Sequence, residues 1–369
     1  MATVYKTLTN NDVTSTRTLL HEAIPITGTI VSGTYGHFEA ETNIKDYSHE
    51  MFQSVYDYPF LSSSANHIFD IAVGYSTSST WDTLGKNDPY HDKKVNIYNQ
   101  MAQLLVGYDH TGSIRRFDQD GDLTGGSKVT GSVFINFSRL LVKDEIKKGS
   151  FAITLGTGAY DIPFTTASYK VGDTSGSTKF KVNSPAGEYG ILYDQSSTST
   201  LDGTAVGLIY YQAGIVVLNY VNHITGSGLG NQRSAGGAAL GYAAGIGTTF
   251  NRDGETALGL LTGSYSPSAS ADAWRNRIQN ISFNNTVELN STIYFCRANH
   301  NEFNYSANPT YVTGSKILVK ENPDDAPISY ITSVGLYSAD NELLAVAKLS
   351  EPLKKDPTNE ITLRVRLDY

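Results

Sequence analysis

The sequence predicts a mainly β protein with short helices, and three observations carry that prediction. Glycine and tyrosine are common, at 34 and 24 of 369 residues, while charged residues make up only 17%, below the usual share of about a quarter. The last ninety or so residues read as a series of short strands, and the final one alternates apolar and polar side chains with period two. Turn residues separate these segments at short intervals. The expected organisation is an α+β N-terminal domain over 1–127 and an antiparallel β-sandwich over 128–223 and 272–369. A glycine-rich insertion or arm at 224–271 interrupts the sandwich.

The elements follow in order. NNDVTSTRTLLHEAIP has a helical pattern, with Ser15 or Thr16 as cap, Leu19, Leu20 and Ala23 on one face, and Pro25 as stop. ITGTIVSGTYG reads as a strand. Residues 44–61 place Met51, Phe52, Val55 and Tyr56 at helix-like spacing and stop at Pro59. HIFDIAVGYS alternates Phe69, Ile71, Val73 and Tyr75, the pattern of a half-buried strand. Residues 95–107 form the strongest helix, with Val95, Tyr98, Met101, Ala102 and Leu105 in one stripe.

From residue 128 strands dominate. KVTGSVFINF is a strand, and SRLLVKDEIKKG is a short helix or turn capped by Ser138 and ended by Gly149. SFAITLG, EYGILYD and AVGLIYYQAGIVVLNYV supply further strands, the last run folding back at Gln212–Gly214. After the insertion, ADAWRNRIQ is a short helix. ISFNNTVEL, STIYFCR, GSKILVK, ISYITSVGLY, ELLAVAKL and EITLRVRLDY are strands, with a hairpin turn at Ser338–Asn341. In the final strand Ile361, Leu363, Val365 and Leu367 face one way, and Thr362, Arg364, Arg366 and Asp368 the other.

Charge and composition exclude several functions. The net charge is −8 and the pI about 5.5, and no basic cluster exceeds Lys147-Lys148 or Lys354-Lys355, which argues against nucleic-acid binding. The single cysteine, Cys296, allows no internal disulfide and reads as a buried strand residue. The opening residues lack the basic and apolar regions of a secretory signal, and no run is apolar enough for a transmembrane helix. Without a signal, sequons such as those at Asn280 and Asn304 carry no weight.

No complete catalytic motif is present. Asp118, Asp120 and Asp122 in DQDGDLTGG match positions one, three and five of a calcium loop, but Leu123 and Val129 stand where glycine and glutamate belong. A solvent-exposed acidic turn explains these residues equally well. His21-Glu22 lacks the second histidine of a zinc-protease helix. Tyr90-His91-Asp92 and Asp109-His110 read as solvated loops, and GSGLG at 226–230 as a flexible one. No GxSxG elbow occurs. No cofactor and no metal is assigned. Carboxylate pairs for glycoside cleavage need not be adjacent in sequence, so a depolymerase stays open as an alternative.

The remaining candidates are contact residues. In ANHNEFNYSANPTY, at 298–311, asparagines and Ser306 suit self-bonded turns. Phe303 is expected to tuck into the end of the sandwich, and Tyr305 and Tyr311 to point outward. Together with Arg364 and Arg366 they form the candidate interface: Phe303, Tyr305, Tyr311, Arg364, Arg366.

Four stretches carry a resemblance: TNNDVTSTRTLLHEAIPITGTI, SVYDYPFLSSSANHIFDIAVGYS, EFNYSANPTY and the final ISYITSVGLYSADNELLAVAKLSEPLKKDPTNEITLRVRLDY. They resemble virion structural proteins of tailed bacteriophages, nearest to tail and baseplate components of contractile-tailed phages, including those of cyanobacteria. The similarity covers both ends and much of the middle, but not the glycine-rich insert. It implies a non-enzymatic structural protein of the virion, a baseplate wedge or fibre-attachment component assembled in the host cytoplasm. Its partners would be other virion proteins, in a homo-oligomer or hetero-oligomeric ring, without nucleic acid or membrane insertion. The alternatives are a receptor-binding or glycan-cleaving tail protein, and a neck or head-decoration protein.

Overall fold

The structure is a computed structural model that describes residues 5–27, 41–77, 88–156, 168–195, 205–220, 257–305, 312–313, 316–317 and 327–369. It is mainly β with short helices and large antiparallel sheets, as predicted. A 3-10 turn at Asn10–Asp12 leads into β1 (Val13–Thr27), β2 (Ile44–Asp46), β3 (Gln53–Tyr56) and β4 (His67–Tyr75), then helix α1 (Pro89–Leu105). Next come β5 (Gly131–Phe137), α2 (Arg139–Val142), β6 (Glu145–Ile146), β7 (Ala152–Gly156), β8 (Ser168–Gly172), α3 (Gly176–Lys179), β9 (Tyr189–Asp194), β10 (Ala205–Tyr210) and β11 (Ile215–Asn219). Helices α4 (Ala257–Thr262) and α5 (Pro267–Arg275) precede β12 (Ile278–Ala298), and β13 (Val312–Thr313), β14 (Lys316–Ile317), β15 (Ser329–Tyr337), β16 (Leu343–Lys355) and β17 (Ile361–Asp368) complete the chain.

These elements form two compact units. Met1–Leu20 and Glu288–Tyr369 make one, here the terminal unit; His21–Val287 makes the other, the central unit. The expected domain boundary at 127/128 is not where the chain divides, because β4 and β5 pair across it along their length, from Phe69 opposite Phe137 to Tyr75 opposite Gly131.

The central unit is built on one antiparallel path, β12-β7-β8-β9-β10-β11-β5-β4-β3-β2. Its middle strands, β4, β5, β10 and β11, are buried on both faces. Ile71, Val73, Val133, Ile135, Val216 and Leu218 point into one apolar cluster; Ala72, Phe134, Leu208 and Val217 point into the other. Helices cover both faces: Leu260, Leu261, Ala271 and Trp274 of α4 and α5 join the first cluster, and Tyr98, Ala102 and Leu105 of α1 the second. This is why AVGLIYYQAGIVVLNY shows no polar alternation, a pattern more usual in parallel sheets. The close seat of α1 on β4 needs Gly74, where a Cβ would stand 2.6 Å from the Lys94 carbonyl oxygen and 2.8 Å from the Tyr98 nitrogen. Buried Lys94 ties α1 to the end of α4, its Nζ donating to the carbonyls of Leu260 at 2.8 Å and Leu261 at 2.9 Å.

The terminal unit is thinner. The second half of β12 pairs with β17, Tyr294 opposite Val365 and Cys296 opposite Leu363, and β1 lies beside β12. Strands β15 and β16 form a separate hairpin, Val334 opposite Ala347 and Leu336 opposite Ala345. Its turn falls at Ser338–Asn341 as expected: the Ser338 nitrogen donates to the Glu342 carbonyl at 2.8 Å, and Asn341 takes the left-handed conformation at φ +62, which asparagine tolerates.

Several expectations are corrected. Residues 13–27 are a strand rather than a helix. Pairing outweighs the weak helical spacing: Glu22 N donates to Asn285 Oδ1 at 3.1 Å, and Ser15 and Thr292 hydroxyls meet at 3.4 Å. Residues 44–61 hold β2 and β3, and their aromatics cluster around the intervening turn, with Tyr47 and Phe52 ring centroids 4.8 Å apart. Strand β4 is buried on both faces, not half-buried. Helix α1 begins earlier than expected, at Pro89, because Asp88 caps it by accepting from Tyr90 N at 2.9 Å. His91 is therefore buried in α1, bonded to the Tyr75 hydroxyl, and not on a solvated loop. Ser138 precedes α2 without a side-chain capping bond. ISFNNTVEL and STIYFCR are one strand, β12. Of the expected arm, residues 257–271 carry α4 and the start of α5; residues 224–256, with GSGLG, lie outside the described residues.

Candidate interaction surface

The stretch after β12 is held by a buried lysine. Lys355 is fully buried at the end of β16. Its Nζ donates to Asn304 Oδ1 at 2.6 Å, the Asp356 carbonyl at 2.9 Å and the His300 carbonyl at 3.3 Å. Asn304 Nδ2 in turn donates to the His300 carbonyl at 2.7 Å, so this asparagine does close a local turn as its sequence context suggests. Ser329 Oγ donates to the Phe303 carbonyl. These ties hold Phe303 at φ +53, a conformation unfavourable for a bulky side chain. The following turn is also anchored: Asp356 accepts from the Thr358 hydroxyl and amide, which hold its carboxyl down to about 2.

Phe303 does not tuck into an apolar end. It is 45% exposed and Tyr305 54%. Both border a cleft of 870 Å³ within the terminal unit. Tyr5, Tyr330 and Tyr337 also border it, as do Leu363 and Leu367 of β17 and Cys296 of β12. The Tyr5 and Tyr337 rings meet with centroids 4.9 Å apart. Cys296 is a free thiol, half-buried rather than buried, and burial pushes its pKa up.

Of the five predicted interface residues, the four that are described do not form one site. Leu363 and Leu367 line the cleft, so period-two alternation sends Arg364 and Arg366 to the other face of β17, where both are exposed. Arg366 donates to Asp368 Oδ1 at 2.7 Å and Ser291 Oγ at 3.0 Å. Tyr311 lies outside the described residues.

Sequence reasoning placed the hairpin β15–β16 but missed its larger feature, the exposed apolar side chains. Leu344 is 69% exposed and Val346 54%, with Leu343, Tyr330 and Tyr337 also open. The signal was ELLAVAKL, whose successive apolar residues place apolar side chains on both faces of a two-stranded ribbon. Among the described residues the terminal unit buries only Ile293, Ala298 and Val365 as apolar side chains, and neither apolar cluster includes any of its residues.

The acidic turn belongs to the central unit. The ligating oxygens of Asp118, Asp120 and Asp122 come within 4.8 Å of one another. Asp120 and Asp122 are exposed, but Asp118 is buried and pairs through Oδ2 with Lys128 Nζ at 2.8 Å. The reading of this motif as a wholly exposed acidic turn therefore fails at its first residue.

Comparison with known proteins gives no match: no family model, no curated protein and no solved structure is similar to this chain.

Proposed function

We propose that this chain is a non-enzymatic virion structural protein, a tail or baseplate component that works through protein–protein interfaces made by its terminal unit. The observation that carries this is the apolar surface of β15–β16 on a unit that buries few apolar side chains. Soluble monomers rarely leave such contiguous patches open, and larger ones mark sites that partners cover. The sequence resemblance supplies the virion setting; the exposed hairpin supports assembly as the mode of action. Mass spectrometry and electron microscopy of purified particles test the reading. The chain is expected in every particle, with β15–β16 against a neighbouring protein. A chain soluble in infected cells and absent from particles overturns it.

One observation favours a second reading, a glycan-binding tail protein: aromatic side chains converge on the cleft at Tyr5, Phe303, Tyr305, Tyr330 and Tyr337. Binding of host envelope polysaccharide that is lost in Y305A and Y330A supports it, and no retention on any host polysaccharide removes it.

A further inference from the structure

We propose that the turn from Asp118 to Gly126 is a calcium site, with Asp118 Oδ1 and the carboxylates of Asp120 and Asp122 as its protein ligands. The three carboxylates offer oxygens within 4.8 Å of one another, which is about the separation of two ligands across a calcium ion bonded at ~2.4 Å. Proximity of acidic groups alone is a common surface feature, and two further observations distinguish this turn.

The first is Asp118 itself. Its side chain is fully sequestered. Oδ2 takes the Lys128 ammonium at 2.8 Å, but Oδ1 is buried and has no hydrogen-bond donor among the described residues. A buried carboxylate oxygen without a donor is costly and calls for a cation or a donor. The nearby amides do not serve it: Asp122 N donates to Asp120 Oδ1 at 3.2 Å and Thr124 N to Asp122 Oδ1 at 2.7 Å. The second observation is Gly126, at φ +63. A Cβ there would stand 3.3 Å from Asp120 Oδ2 and 3.6 Å from Asp118 Oδ1, so any other residue would fill the space beside the two oxygens.

Charge and donor type select the ion. Three carboxylates against one ammonium leave two negative charges, which a divalent cation neutralises. All donors are hard oxygens with no imidazole or thiolate in the group, a set that suits calcium rather than zinc or copper. Exposed Asp120 and Asp122 leave the outer side open to water, which completes the six to eight ligands calcium takes. With three protein ligands the affinity falls on the order of 10⁻⁴–10⁻³ M, the weak end of protein calcium sites. The turn is tied to β9, since the Tyr189 hydroxyl donates to the Gly121 carbonyl at 3.0 Å, so the ion would fix the turn to the sheet.

The test uses the full chain stripped with EDTA. Calorimetric titration with calcium chloride is expected to show one ion per chain, with a thermal midpoint that rises with calcium and returns with EDTA. The D120N/D122N variant changes two exposed side chains; its calcium affinity should fall at least tenfold, and its thermal midpoint should no longer rise when calcium is added. A second measurement needs no variant: terbium emission excited through tyrosine, with Tyr189 beside the turn, should appear on binding and be displaced by calcium. Absence of both heat and terbium emission in the parent chain, or unchanged calcium affinity in D120N/D122N, overturns the assignment.

Discussion

The central and terminal units handle their apolar residues in opposite ways. In the central unit the middle strands β4, β5, β10 and β11 are buried on both faces, and side chains such as Phe137 and Trp274 are buried. In the terminal unit the hairpin β15–β16 is apolar on its outside, and the best-buried long side chain is the charged Lys355. The first arrangement derives stability from burial within the chain. The second is tied by directed hydrogen bonds and leaves apolar area exposed. One chain thus combines a body whose apolar side chains are covered from within and a unit that leaves many of its own exposed.

The largest expected effect probes the body. Phe137 packs against Phe283 with ring centroids 5.0 Å apart and against Phe69 at 6.0 Å. Phe137→Ala should cost about 3–5 kcal/mol in urea unfolding; a loss under about 1 kcal/mol would remove the claim that this cluster holds the central unit.

The pH response should separate the units by sign. Asp173 in the central unit is pushed up to about 6, chiefly by burial, from an ordinary value of 3.8. Its neutral form is favoured in the fold, so the contribution is full below pH 3.8 and is lost as pH rises through about 6. At neutral pH the central unit should be about 3 kcal/mol less stable than near pH 4 on this group's account, and Asp173→Asn should flatten that slope. In the terminal unit Asp356 is held at about 2. Its contribution is present above pH 3.8 and is lost as pH falls through about 2. Hydrogen exchange resolved by segment at several pH values checks both; parallel responses in the two units would contradict the assignment.

A smaller effect tests the lysine. Lys355→Met leaves Asn304 Oδ1 without its donor, at a cost of about 1–3 kcal/mol, while the His300 and Asp356 carbonyls keep Asn304 Nδ2 and Asn359 N. Proteolysis within 299–305 should accelerate while central-unit exchange stays constant. The smallest effect on stability is the most telling for function. Leu344→Ser with Val346→Ser should change the unfolding free energy of the isolated chain by no more than about 0.5 kcal/mol, yet sharply reduce incorporation into particles. Full incorporation would show that this hairpin is not the covered surface.

What the sequence disclosed follows from which signals are local. Period-two alternation in β17 and the stripe of α1 depend on one element and its nearest cover, so both are legible. Strand β1 is not, because its conformation is set by β12, far away in sequence. The double-sided burial of β4 was hidden because its alternation, Phe69 to Tyr75, says nothing of what covers Ala72. At the candidate surface, Phe303 and Tyr305 stood out by residue type, but their approach to Tyr5 and Tyr330 depends on the hairpin's placement. For the acidic turn, spacing showed the three aspartates, while the burial of Asp118 and its pairing with Lys128 required the fold.

The pairing of β1 with β12 also bears on when the fold can be finished. Ser15 and Thr292 are 277 positions apart, so the earlier strand waits for the later one to be made. At ribosomal rates of about 5–20 residues per second, that interval is on the order of tens of seconds. Contacts of such high sequence separation form late and slow folding. The terminal unit is therefore completed only after the segments on both sides of the central unit have been synthesised.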